Sequence, residues 1–232
     1  MKTFNGSSAT VDEPFSIFQR GMIMKQETLY QCVDAFNRLA GTSYIIHLGR
    51  AGKRLAFEIQ IDKEDCHHLM GLHYLKDRPD ARNRRRIFED ILCSREYREH
   101  LASSELWTPE LENRVACTTL LERILDDNGT IIRYNPKRHR FYTMIRAEYL
   151  FAHKNYPVAE GVLRDVYLFV DKRDYSDFRY CKSIFPKKDY DYMEFQAIWQ
   201  LLYKEKHATD GSSEVLFRYK KYDPSGAVLD ER

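Results

Sequence analysis

Between Gln26 and Leu39 the apolar residues fall at Leu29, Val33, Phe36 and Leu39, the three-and-four spacing of one helix face. The period then changes. Ser43–Leu48 and Leu55–Ile61 are rich in β-formers and flank Gly49–Lys53, whose glycines mark a turn, so the two runs predict a hairpin. Lys63–Lys76, Arg82–Leu92 and Pro109–Leu125 return to helical spacing. Thr108 ahead of Pro109 supplies an N-cap and a proline suited to the first helical turn. Asp126–Gly129 stops that helix, and Thr130–Tyr134 follows as a short strand. Residues 1 to about 20 are polar, show no clear period and carry Gly6, Ser7 and Ser8, which predicts a loose leader.

The last third reads as strands. Asp165–Asp171 is an apolar run bounded by charges, the pattern of a buried central strand. Phe178–Phe185 alternates, with Arg179, Cys181, Ser183 and Phe185 on one face and Phe178, Tyr180, Lys182 and Ile184 on the other. Phe195–Lys204 and Glu214–Tyr222 are further strands. Strands near 165–171, 178–185, 197–205 and 214–222 are expected in one antiparallel sheet. Helices first and strands last predict an α+β fold with helices on one face of the sheet. The expected organisation is a flexible leader over 1–25, one domain over 26–207 and a C-terminal strand and tail over 208–232.

Composition narrows the class. Across 232 residues, 43% are hydrophobic and 31% charged, which excludes collagen, low-complexity disorder and a disulfide mini-protein. No apolar run approaches the roughly 20 residues of a spanning helix, so no membrane association is expected. The first residues lack an apolar core, which predicts no secretory signal. The 37 Lys and Arg against 35 Asp and Glu leave a net charge of +2, so any nucleic-acid footprint has to be local. Aromatics at 13% suit tyrosine-rich strands, with base-stacking platforms as the sharper alternative. Five cysteines without a CxxC pair predict reduced thiols and a cytoplasmic protein.

The densest cluster of titratable groups is Cys66, His67, His68 and His73. On one continuous helix, His68 and His73 stand about 140° apart, and the i, i+4 pair of a zincin is missing, so no metal is expected there. His68 shares a mostly apolar stripe with Leu72 and Leu75, beside Gly71. It is either a hydrogen-bonded core histidine or a general acid or base at a pocket edge. Arg82, Arg84, Arg85 and Arg86 crowd a helix start, and Arg50, Lys53 and Arg54 crowd the hairpin turn. Both groups suit a solvated face or a phosphate contact. Lys182, inside a strand, has to be exposed, paired or functional. Phosphate loops, nucleophile elbows, kinase motifs and dinucleotide fingerprints are missing, which leaves nucleotide hydrolysis, acyl transfer and hydride transfer without support.

Several stretches, in order, resemble one family: Tyr44–Lys53, Asp65–Lys76, Arg86–Leu92, Ala147–Leu150, Tyr167–Asp174, Cys181–Lys187, Asp191–Tyr192, Gln196–Trp199 and Leu202–Lys206. It is the fourth of the phage-associated barnase–EndoU–colicin–RelE-like nuclease families, and the resemblance covers roughly residues 29 to 206. It implies a sheet with packed helices and a metal-independent ribonuclease site on the open sheet face, needing no cofactor. There the 2′-hydroxyl attacks the adjacent phosphate and leaves a 2′,3′-cyclic phosphate. On this resemblance His68 and His73 are the acid–base candidates. Lys182 or Arg173 steadies the phosphoryl oxygens, and Ser183 hydrogen-bonds one of them. Arg50, Lys53, Lys172, Arg173, Lys187, Gln196, Trp199 and Tyr203 are the expected substrate-binding residues. The implied partners are RNA and a protein inhibitor or antitoxin, and the implied roles a toxin or phage-linked effector. A catalytically silent RNA- or protein-binding module is the alternative. The family pattern has arginine where this chain has Lys182, and a small residue where it has Phe195.

Overall fold

A computed structural model describes residues 14–159, 161–174, 176–220 and 222–226. Six α-helices and eight strands run in the order α1 (Pro14–Leu39), β1 (Ser43–Arg50), β2 (Lys53–Gln60), α2 (Lys63–Met70), α3 (Arg84–Cys93), α4 (Arg95–Ala102), α5 (Pro109–Thr118), α6 (Leu121–Asp126), β3 (Thr130–Arg133), β4 (Tyr149–Ala159), β5 (Val162–Lys172), β6 (Arg179–Pro186), β7 (Ala197–His207) and β8 (Ser213–Arg218). In α1 the stripe Leu29, Cys32, Val33, Phe36 and Leu39 is fully buried. That helix begins at Pro14, so residues 14–25 of the expected leader are helix; residues 1–13 lie outside the described residues. The expected helix over 109–125 divides into α5 and α6. The β1–β2 turn is made by Ala51 and Gly52, at φ of 48° and 79°, the left-handed pair of a tight hairpin.

All eight strands form one mostly antiparallel sheet of order β1-β2-β6-β5-β4-β3-β7-β8. The expected strands are β5 to β8, and the unforeseen β4 separates β5 from β3. β1 also pairs with β7, so the ladder closes on itself. The closing link is a single parallel bridge, Ile59 to Arg179, between β2 and β6. The alternation expected along β6 does not hold. Ser183 faces Phe169 and Cys181 faces Val170, leaving Lys182 as the extra residue of a β-bulge, and Cys181 and Ile184 both enter the main core.

That core joins the helices to one sheet face, through Phe36, Ile87, Leu111 and Ile124 against Tyr44, Phe57, Phe151 and Leu168. The opposite face carries a smaller cluster of Ile132, Tyr134, Leu150, Ala152, Tyr167 and Phe169. It is covered by Ile145 and Ala147 and by Tyr192 and Met193. The sheet face implied to be open is therefore partly roofed. Lys204 of β7, 1% exposed, donates to the carbonyls of Leu125, Asp126 and Asp127 at 2.8, 3.0 and 2.7 Å. It ties off the end of α6, and burial lowers its pKa to about 8.

Candidate active site

The histidine cluster owes its geometry to one glycine. Gly71 takes a φ of 79°, which an L-residue adopts only with strain, and it ends α2 after Met70. Leu72–Tyr74 then forms a 3₁₀ turn. On an unbroken helix His68 and His73 diverge; with this break, His73 folds back. The two rings stack with centroids 4.4 Å apart and planes 12° apart, and Tyr74 lies 4.0 Å beyond. The helix expected to run to Lys76 and the His68, Leu72, Leu75 stripe are corrected accordingly. The hydrogen-bonded core histidine is His67, 3% exposed, whose Nε2 meets the Ala81 carbonyl at 2.6 Å. Among the described residues no three His, Cys, Asp or Glu side chains group as metal ligands.

Arg114, on α5, reaches the same place. Its Nη2 donates to Ser183 Oγ at 2.6 Å, and its guanidinium lies 5.6 Å from the Tyr74 ring and 5.7 Å from Phe185. A lone arginine on an amphipathic helix reads as solvated, and the one local sign of Arg114 is its place between Leu111 and Val115, which are both buried. The bulge re-aims Lys182, whose Nζ donates to Asp171 Oδ2 at 2.5 Å. Its charge is felt at His68. The grouping thus sits where α2 and α5 meet β6, rather than on a bare sheet.

The other candidates scatter. Arg173 is held by Asp65 at 2.6 Å and Asp62 at 2.9 Å, which fixes α2 to the end of β5. Burial pushes the Asp65 carboxyl up to about 6 against the pull of Arg173. Lys172 pairs with Asp177 at 3.6 Å and Lys187 with Asp191 at 2.7 Å. Arg50 and Lys53 are exposed at the hairpin turn. Gln196 donates to the Asn135 carbonyl and accepts from its N–H, both at 3.0 Å. Trp199 is 7% exposed and belongs to the main core, so as a substrate-binding residue it is corrected to a packing one. Tyr203 is 5% exposed, and its hydroxyl donates to Glu205, which leaves it the same structural role. Of the arginines at the α3 start, Arg85 pairs with Glu64 and Arg86 with Asp90.

Both stacked histidines are held neutral. Burial lowers His73 to about 4, and its neighbours His68, His67, Arg114 and Arg84 each disfavour its protonation further. His68 is lowered by burial, then by Arg114, Arg84, His67 and Lys182. The site therefore offers two uncharged imidazoles, a guanidinium and an ammonium around a serine hydroxyl. That set suits an anion that needs a proton moved at it.

A family model described as phage-Barnase-EndoU-ColicinE5/D-RelE like nuclease4 matches residues 28–221. No curated protein and no solved structure matches the chain.

Proposed function

Because this chain belongs to the phage-Barnase-EndoU-ColicinE5/D-RelE like nuclease4 family, we propose that it is an endoribonuclease working through the stacked pair His68 and His73 without a metal. The observation that carries this is the convergence of that pair with Arg114 and Ser183. A phosphodiester bound between Arg114 and Lys182 draws their charges onto itself. His73, which burial lowers to about 4, stays neutral and takes the 2′-hydroxyl proton. His68 feels both of those cations, so its pKa rises once the phosphate offsets them; it then takes up a proton from solvent and gives it to the 5′-leaving oxygen. Arg114 and Ser183 hold the phosphoryl oxygens as charge builds in the transition state. Lys182 joins them by exchanging Asp171 for phosphate. The setting that fits is cytoplasmic RNA attacked by a phage-linked effector or toxin, with a protein inhibitor to guard its host.

The test is cleavage of total RNA in EDTA with the new ends mapped. The expected ends are 2′,3′-cyclic phosphates. His68→Ala should slow cleavage of ordinary RNA by roughly a hundredfold or more. It should recover on a substrate whose 5′-leaving group needs no proton. A wild-type protein that leaves RNA intact, or an equally active His68→Ala, defeats the reading.

A further inference from the structure

The segment between Asp127 and Glu148 contains no acidic residue but holds Arg133, Lys137, Arg138, Arg140 and Arg146, all exposed. Among the described residues none of these five has a carboxylate partner. Within the same stretch, aromatic rings form a ladder. His139 stacks on Phe141 with centroids 4.6 Å apart, and Phe141 on Tyr190 at 4.4 Å, with planes tilted by 19° and 22°. Tyr192 closes edge-on against Phe141 at 5.3 Å. The ladder ends in solvent, because Tyr190 is 51% exposed, and Tyr142, next to Phe141 in the chain, is 87% exposed.

Phe195 adds an independent sign. It holds a φ of 62°, a conformation that costs a bulky residue on the order of 1 kcal/mol, yet its ring is 46% exposed and roofed by Arg140 at 4.5 Å. Core packing does not account for a strained aromatic held in solvent under an arginine. Carboxylates flank the ladder as well: Asp191 is occupied by Lys187 at 2.7 Å and the Tyr167 hydroxyl at 3.0 Å, Asp189 acts on Lys188, and Glu194 and Asp191 are felt at His139.

We infer that this ladder and its basic rim are a platform for the bases of unpaired RNA flanking the cleaved phosphate. Exposed rings bordered by unpartnered cations are what a single strand recognises: its bases stack and its phosphates meet arginine. A duplex keeps its base faces inside and has nothing to lay on Tyr190. The platform is joined to the catalytic grouping. A groove of about 830 Å³ is lined by Arg114, Ile145, Arg164, Phe185 and Lys188. Phe185 meets Tyr192 of the ladder edge-on at 5.8 Å while Arg114 stands over it, so one ring touches both regions. The inference deepens the nuclease reading, and on that reading it names single-stranded RNA as the substrate.

The experiment uses a short, fully 2′-O-methylated oligoribonucleotide, which has no 2′-hydroxyl to attack, and measures binding by fluorescence anisotropy at several salt concentrations. The same strand annealed to its complement is the control. Tyr190→Ala should weaken single-strand binding roughly five- to a hundredfold, the worth of one stacked base, with the salt slope unchanged. Tyr190→Phe should restore it. Tyr142→Ala should weaken it in the same way, and at 87% exposure that change has no packing to lose. Arg138→Gln should lower the salt slope by about 0.7. Duplex binding should be weaker and indifferent to Tyr190→Ala. The inference is overturned if Tyr190→Ala and Tyr142→Ala both bind like the wild type, or if duplex and single strand respond alike. Cleavage without any Tyr190 dependence of binding removes the platform and keeps the nuclease. Tyr190-dependent binding by a protein that cleaves nothing keeps the platform and removes the nuclease.

Discussion

Replacing Arg114 by glutamine tests the charge logic of the histidine pair most directly. Burial is the largest cause of the fall of His73 from 6.5 to about 4, and Arg114 is one of four neighbours that lower it further. Removing the guanidinium should raise His73, and His68 too, which Arg114 also lowers. The rate of a reaction that needs neutral His73 falls as pH drops through its pKa, so the acid limb of the pH–rate profile should move to higher pH. The guanidinium also leaves the phosphoryl oxygens, which should cost roughly 100- to 1,000-fold in the chemical step. Arg114→Lys keeps the charge and loses the fork to Ser183 and the stacking on Tyr74 and Phe185. It should leave the limb near its wild-type position while recovering only part of the rate. Single-turnover cleavage across the acid range, with proton NMR titration of the histidines, measures both effects. An unmoved limb in Arg114→Gln, with a rate within a few-fold of wild type, would refute the assignment.

Gly71→Ala should hurt both stability and cleavage. Its Cβ would meet Arg114 Cδ at 3.2 Å and Leu111 Cδ1 at 3.1 Å, on a φ of 79° that already costs about 1–2 kcal/mol, so melting temperature and rate should fall together. Acid should destabilise the fold through His153, which is 6% exposed and lowered to about 4 by burial and by Lys204. The unfolded chain binds its proton first, so stability is complete above pH 6.5 and falls toward pH 4, by about 3 kcal/mol for this group. Urea unfolding at both ends of that window should show the loss, and His153→Gln should remove most of it.

The sequence exposed what a single local signal encodes. The stripe of α1, the β1–β2 hairpin, the Thr108–Pro109 helix start and the apolar run of β5 all appear where the pattern predicts them. β4 escaped because both its faces are buried, Tyr149 and Phe151 in one core and Leu150 and Ala152 in the other, which erases the alternation. α4 escaped because its sequence is mostly polar; its signals are the Ser94 cap on the Tyr97 N–H and the Arg95–Glu99 pair. The histidines were visible, but their meeting depends on the reversal at Gly71, and a glycine inside a helical pattern does not announce a left-handed stop. Lys182 stands out in the strand pattern, whereas the bulge that explains it exists only in register with β5. Arg114 meets Ser183, a residue far along the chain, and that kind of partnership has no local trace.

The closure of the sheet has a consequence for how the protein comes into being. β7 pairs with β1, β3 and β8, so residues 43–49, already paired with β2 on one edge, find their second neighbour only among residues 200–207. Such distant pairing carries a large loop-closure entropy and belongs with slow folding. During synthesis the N-terminal hairpin waits with an unsatisfied edge until the last third of the chain has emerged. A chain cut short before β7 has no ring to close, and a half-made copy gains no foothold for the fold on which its cleavage site depends.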